Sequence, residues 1–460
     1  MEKHIFFKGL LTEHGWLSNT LITTENGIIK NIEANTSPVH DTEVVEGYAL
    51  PGFQNAHSHA FQYAMAGLAE LHEGTGIPDD FWSWRTAMYE LALTISPEQL
   101  EAIATQLYTE MVRHGYTAVT EFHYLHHQPD GTPYDNLAEM GLRLVNAAKK
   151  AGLHITLVPM FYQKGGFGME PSKNQARFIS DTIEDYYNLL EATKKACQTY
   201  EHAICGIGIH SLRAVCAEDI IQLTEEYKGD TPFHLHIAEQ LKEIDDCIAF
   251  YGKRPVQWLL DNVNLDNNFH LVHATHLDDA EVQGIASSGA HVVLCPSTEG
   301  NLGDGIFRLH DFKNLNGSWS IGTDSHIGLN PLEELRILDY GQRLTTHKRT
   351  SFYTQGYGDS GFNAINMMWK SGRKAMGLQS EAFFKIGEPL NAAVINATHP
   401  LIATSSTKHL SNTIVYTQDA SNMLGTLFNG KWMVKDGKHI HKNTVEIDFV
   451  KTLLTLKSRL

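Results

Sequence analysis

The sequence predicts an α/β fold: a (β/α)8 TIM-like barrel with a small β-sandwich domain formed by both chain ends. Three observations point to it. The 460 residues exceed what one hydrophobic core usually serves, so a large domain with a smaller companion is expected. The middle of the chain alternates eight short apolar runs with helical patterns, as successive βα units do. Both ends carry alternating apolar residues and Asn-Gly or Asp-Gly turns, and neither is long enough for a core of its own. The expected boundaries are 1–48 and 381–460 for the two parts of the β domain, and 49–380 for the barrel.

In chain order, "HIFFKGLL" and "WLSNTLITT" read as strands, and Asn26-Gly27 turns the chain into "IIKNIEA". The barrel strands follow as "ALPGFQNAH", "YTAVTEF", "HITLVPM", "ICGIGIH", "TPFHLHIA", "HLVHA", "AHVVLCP" and "WSIGT". Helical patterns at 97–114, 135–151, 176–199, 217–228 and 277–288 lie between them, with Gly115 and Gly152 placed as helix C-caps. The Gly- and Asn-rich stretch 296–318 reads as a long loop able to close over a ligand. Helices near 332–343 and 358–376 finish the barrel. "LNAAVINA" and "NTIVYTQ" then read as strands, and turns at Asn429-Gly430 and Asp436-Gly437 divide the last strands. A doubly wound open sheet is the alternative architecture. It is disfavoured because no Gly-rich phosphate loop follows an early strand.

A formal net charge of -17 argues against nucleic acid or an anionic membrane as partner, although an acidic surface can enclose a basic pocket. No apolar run reaches membrane-spanning length, and the opening residues lack the regions of a secretory leader. Five cysteines without a CxxC spacing suggest a reducing, cytoplasmic compartment, with neither disulfides nor a thiolate metal site. A homodimer is the default assembly.

Metal-ligating residue types stand at the ends of the expected strands. Side chains alternate along a strand, so His57 and His59 point the same way. Alone, an HxH pair is weak support for a metal. Its place between "PGFQNA" and a following helix strengthens it. His234 and His236 alternate on a later strand, one a candidate ligand and the other packing. Glu239, just beyond that strand, is placed either to carry protons or to sit at a helix N-terminus. His273 ends another strand, as a water-orienting base or as a buried histidine bonded to backbone. Asp324 follows the last strand, as a ligand and proton acceptor or as a helix N-cap. Three imidazoles and a carboxylate suit Zn2+ or a similar ion. Arg85 and Arg213 flank the same face. Surface salt bridges are the commoner fate of arginine, but two forks at one mouth would suit a small dianionic substrate. Gln62, Tyr124 and His210 are hydrogen-bonding candidates near strand ends.

"PGFQNAHSHAFQ", "HIAEQ", "LVHATH" and "GTDSH" resemble the amidohydrolase superfamily. "FWSWR", "EFHYLHH", "GIGIHSLRAV", "CPSTEGNLGDGIF" and "EELRILDYGQRL" resemble its formimidoylglutamate deiminase family, over about residues 47–345. The resemblance implies hydrolysis of N-formimino-L-glutamate to N-formyl-L-glutamate and ammonia, in histidine degradation. It implies one divalent ion, Zn2+ first and Fe2+ second, on His57, His59, His236 and Asp324. Glu239 and His273 would be the acid/base pair beside Asp324. Arg85, Tyr124, His210 and Arg213 would contact the glutamate part, with Gln62 near the formimino end. The chain departs from the family in Tyr63, where Arg is frequent, and in Gly300 within "STEGN". A superfamily deaminase acting on another amidine, guanidino or purine-like substrate is the alternative.

Overall fold

The fold is known from a computed structural model, which describes residues 2–70, 81–226, 229–354 and 359–456. Eight parallel strands form the barrel: β1 (Phe53–Ser58), β2 (Tyr116–His123), β3 (His154–Phe161), β4 (Ile207–Ser211), β5 (Phe233–Ile237), β6 (Phe269–His273), β7 (His291–Leu294) and β8 (Ser318–Ile321). They pair in sequence order, and a short extra strand, Ala203–Cys205, pairs with β3. Their near-continuous burial is what a parallel sheet covered on both faces requires.

The barrel closes between its first and last strands. Ser58 and Asp324 form a parallel bridge, and the Thr323 and Asp324 amides each donate to the His57 carbonyl at 3.1 Å. Gly322 permits that approach. A Cβ there would lie 2.6 Å from the His57 Cβ and 2.8 Å from its backbone nitrogen. The other end of the barrel is plugged by the C-terminus of helix Ser360–Ala375. Its Ala375 carbonyl accepts from Thr120 and His234, and the Met376 carbonyl accepts from Thr156. These side chains satisfy carbonyls that a helix end leaves without partners.

Both chain ends join one eight-stranded sandwich sheet, in which strand Ala392–Asn396 lies antiparallel to Thr42–Pro51. Thr42–Pro51 leads within two residues into β1, so the terminal sheet and the barrel meet at Gly52.

Most expected helices form. Pro97–Arg113 begins with a Ser96/Gln99 capping box and buries Leu100, Ile103, Ala104, Leu107 and Met111, one face of an amphipathic helix. Gly152 ends helix Glu139–Ala151 at φ 75, where a side chain would be strained. Two expectations fail. "NTIVYTQ" lies in helix Thr407–Thr417, burying Leu410, Ile414 and Val415 at helical rather than strand spacing. The expected loop 296–318 contains helices Pro296–Leu302 and Leu309–Asn314, the first started by Pro296 and ended by Gly303 in the left-handed region. The expected helix 176–199 starts later, as Ile183–Cys197, behind a Thr182/Asp185 capping box. The expected helix limits at 228 and 358 fall outside the described residues.

Candidate metal centre

β1 delivers His57 from its last turn of strand and His59 one residue beyond it, and β5 delivers His236. Seam closure brings Asp324 to them from beyond β8. The His57, His59 and His236 Nε2 atoms lie 3.1–3.3 Å from one another. Asp324 Oδ1 lies 3.4 Å from His57 Nε2 and 3.3 Å from His59 Nε2. Tetrahedral zinc with bonds of about 2.0–2.1 Å would need ligand atoms about 3.3–3.4 Å apart. The donor set therefore fits such an ion.

The rings are also in the protonation state a metal needs. Burial, then neighbouring histidines, push the His57 and His236 pKa values well below the usual range, and burial lowers that of His59 to about 3. His59 Nδ1 faces the Phe122 carbonyl at 2.9 Å, and His236 Nδ1 the His210 carbonyl at 3.2 Å. Donating there leaves each Nε2 lone pair directed at the centre. His57 Nδ1 has no hydrogen-bond partner. Behind the ligand strand, Glu121 accepts from Ser58 Oγ, Tyr108 Oη and the Ala60 amide, and burial raises its carboxyl to about 8.

His273 also lies within 4.8 Å of His57, His236 and Asp324. It is the looser neighbour: its Nε2 is 3.8 Å from Asp324 Oδ2, against 3.3 Å for the His59 contact. The same Nε2 is 3.8 Å from Glu239 Oε1, and Nδ1 is 3.3 Å from Glu299 Oε1. Burial opposes charge on this ring, but the Glu239, Glu299 and Asp324 carboxylates outweigh it and raise its pKa to about 10.

The backbone is strained around this cluster. Ala238, His273, Ala274, Asp324 and His326 all have positive φ, between 46 and 70. Such conformations cost about 1–3 kcal/mol each and persist where surroundings enforce them. At Ala238 the enforcing group is Glu243, whose carboxylate accepts from the Ala238 and Glu239 amides at 3.2 and 3.1 Å.

A cavity opens over the cluster, lined by His59, His236, Glu239, His273 and Asp324 on one side. Gln62, Arg85, Tyr124, His210 and Arg213 line it too, while His57 lies deeper and His234, the packing alternative to His236, meets the Ala375 carbonyl at the other end of the barrel. Gln62 Nε2 donates to Tyr124 Oη at 3.0 Å, and its buried Oε1 has no partner. Arg85 donates to Tyr89 Oη at 2.6 Å and to Tyr162 Oη at 3.4 Å. Burial, then Arg213 and Arg85, keep His210 well below its usual pKa. Arg213 is only 9% exposed. It has long ion-pair contacts of 3.5–3.6 Å with Glu243 and Glu239, while its Nε and Nη1 make no hydrogen bond.

Sequence reasoning missed Tyr89, Tyr162, Glu243 and Glu299. Tyr162 had a signal, since it follows β3 at the strand end that faces the rim. A larger cavity lies among strand N-terminal ends and the terminal sheet, remote from the His/Asp cluster.

The sequence profile of the amidohydrolase family matches residues 48–433. The chain is 41% identical to a formimidoylglutamate deiminase of Pseudomonas aeruginosa over 452 residues, 98% of each chain. It is 22% identical to a 5-methylthioadenosine/S-adenosylhomocysteine deaminase of Thermodesulfovibrio yellowstonii, over 94% of this chain and 89% of that one. A crystal structure of an amidohydrolase from Brucella melitensis superposes with a TM-score of 0.92 at 38% identity, covering 99% of this chain and 100% of that one.

Proposed function

The chain belongs to the amidohydrolase family, and we propose that it is a hydrolase that deaminates N-formimino-L-glutamate to N-formyl-L-glutamate and ammonia. The observation that carries the substrate is Arg213, a buried guanidinium in the cavity wall whose Nε and Nη1 lack hydrogen-bond acceptors. A substrate carboxylate supplies them, and Arg85 across the same cavity receives the second carboxylate. The formimidoylglutamate deiminase relative supports the same choice.

In this reading His57, His59, His236 and Asp324 hold one divalent ion, Zn2+ by donor type and spacing, with Fe2+ as the second candidate. The bound ion supplies Lewis acidity that brings the pKa of water toward 7. Asp324 Oδ2 and His273 Nε2, 3.8 Å apart, orient the attacking water, and Asp324 takes its proton while the surrounding carboxylates keep His273 charged. The water oxygen adds to the formimino carbon, giving a tetrahedral intermediate. Glu239, 3.8 Å from His273, passes a proton to the terminal nitrogen, which leaves as ammonia while the C=O bond of the formamide forms. Gln62 and Tyr124 hold the formimino end. Arg85, His210 and Arg213 hold the glutamate and turn its binding energy into orientation. The reading also keeps a cytoplasmic homodimer, the compartment supported by five free cysteines and the assembly by the prevalence of two-fold pairs.

The test is product identity. Metal-loaded protein incubated with N-formimino-L-glutamate should yield one equivalent of ammonia and a formyl proton signal in the NMR spectrum. Free glutamate with formamide would mean that the other C–N bond breaks and would refute the assignment.

A further inference from the structure

We propose that the Tyr162 hydroxyl is a further substrate contact, donating to the carboxylate that Arg85 receives. This rests on the functional reading above and adds a residue to it. Tyr162 stands directly after β3, at the strand end that faces the rim. It is 2% exposed and lines the cavity over the His/Asp cluster. Its ring packs against His210 and Phe178, with centroids 4.6 and 5.8 Å away, and its carbonyl accepts the Ser180 amide at 2.9 Å. The ring therefore has a fixed place in the wall.

What the hydroxyl does there follows from counting its hydrogen bonds. A phenol oxygen offers two acceptor positions and one proton to donate. At Tyr162, Gln175 Nε2 donates at 2.8 Å and Arg85 Nη2 at 3.4 Å, which fills both acceptor positions. The Gln175 amide cannot turn over, because its Oε1 accepts the Ser172 amide at 2.9 Å. Its NH2 group therefore faces the phenols. Among the described residues, the other oxygen within reach of the Tyr162 proton is Tyr89 Oη, 3.5 Å away. That oxygen already accepts Arg85 Nε at 2.6 Å and Gln175 Nε2 at 3.4 Å. Four N–H contacts thus converge on two phenol oxygens, and the Tyr162 proton is left for the cavity. Donors in excess beside an arginine suit a carboxylate, whose oxygens accept several charge-assisted bonds at once. An alkylamidine brings no oxygen to them.

Tyr162→Phe removes the donor and keeps the ring. For the metal-loaded variant, kcat/KM on N-formimino-L-glutamate should fall by roughly 10- to 100-fold, the worth of a hydrogen bond to a charged group. On N-propylformamidine it should stay within about threefold of wild type. An unchanged kcat/KM on the diacid would overturn the proposal. So would an equal loss on both compounds, which would make Tyr162 a packing residue. Glutarate, a dicarboxylate with no bond to hydrolyse, gives a readout that needs no turnover. Its Kd by calorimetry should rise roughly 10-fold or more in Y162F. Equal affinity for both proteins, or binding to neither, would overturn the contact. A crystal structure of wild type with glutarate does not depend on the variant folding. It should place a carboxylate oxygen about 2.5–3.0 Å from Tyr162 Oη, and a carboxylate on Arg85 that lies beyond roughly 4 Å from that hydroxyl would overturn the proposal. Failure of wild type to release ammonia from N-formimino-L-glutamate would instead refute the functional reading, while the glutarate measurements would still decide the Tyr162 contact.

Discussion

At the scale of single residues, the site separates two kinds of polar group. His57, His59 and His236 are buried, neutral and back-bonded or packed so that their Nε2 atoms converge. Glu239 and His273 stand just outside that convergence, where a proton can pass between them. Glu239→Gln should therefore keep its metal, measured by elemental analysis, while kcat falls by roughly 100-fold or more, the usual worth of a positioned acid/base group. Near-normal kcat in a metal-replete sample would remove Glu239 from the mechanism. Arg213 makes a different prediction because it lines the cavity with its buried Nε and Nη1 lacking hydrogen-bond partners. Arg213→Ala should lower kcat/KM for N-formimino-L-glutamate by roughly 100-fold, the loss of a buried charge-assisted pair. On N-propylformamidine, which lacks both carboxylates, wild type and variant should agree within about threefold. An equal loss on both compounds would mean that Arg213 acts on the Glu239 and Glu243 carboxylates rather than on substrate.

At the scale of elements, the barrel seam is what assembles the donor set. β1 and β8 are far apart in sequence, and the His57 carbonyl accepts both amides that precede and carry Asp324. Gly322 is the point of closest approach, so Gly322→Val should force the strands apart. Overpacking of this kind costs about 1–3 kcal/mol, and here it should also lower bound metal to well under one per chain. Full metal content with an unchanged Tm would contradict the seam's role. The same elements explain what the sequence disclosed. Strand positions of His57, His236 and His273 followed from period-two alternation and apolar runs, and Asn26-Gly27 correctly marked a hairpin. "NTIVYTQ" was misleading because Ile414 and Val415 favour strands locally, yet helix Thr407–Thr417 buries them against the barrel helices. Glu243 and Glu299 were not legible as site residues. Their significance lies in which distant amide or ring each carboxylate meets, and spacing along a chain does not encode that.

At the scale of the whole molecule, the terminal sheet and helix Ser360–Ala375 close the lower end of the barrel, and the opposite rim is left to carry the chemistry. Among the described residues no helix is long and apolar enough to cross a membrane. A chain of net charge -17 gathers two arginines into one cavity wall, which in the proposed function would draw a small dianion inward against the overall field. In the proposed function that wall and the His/Asp cluster act together to hydrolyse a formimino group on a glutamate. The most direct test is ammonia release by the zinc-loaded protein on N-formimino-L-glutamate, N-formimino-L-aspartate, guanine and adenosine, each with and without a chelator. The expected kcat/KM on N-formimino-L-glutamate is at least roughly 100-fold above the other three, with activity lost on chelation and restored by Zn2+. Faster deamination of guanine or adenosine, or turnover indifferent to the chelator, would contradict it.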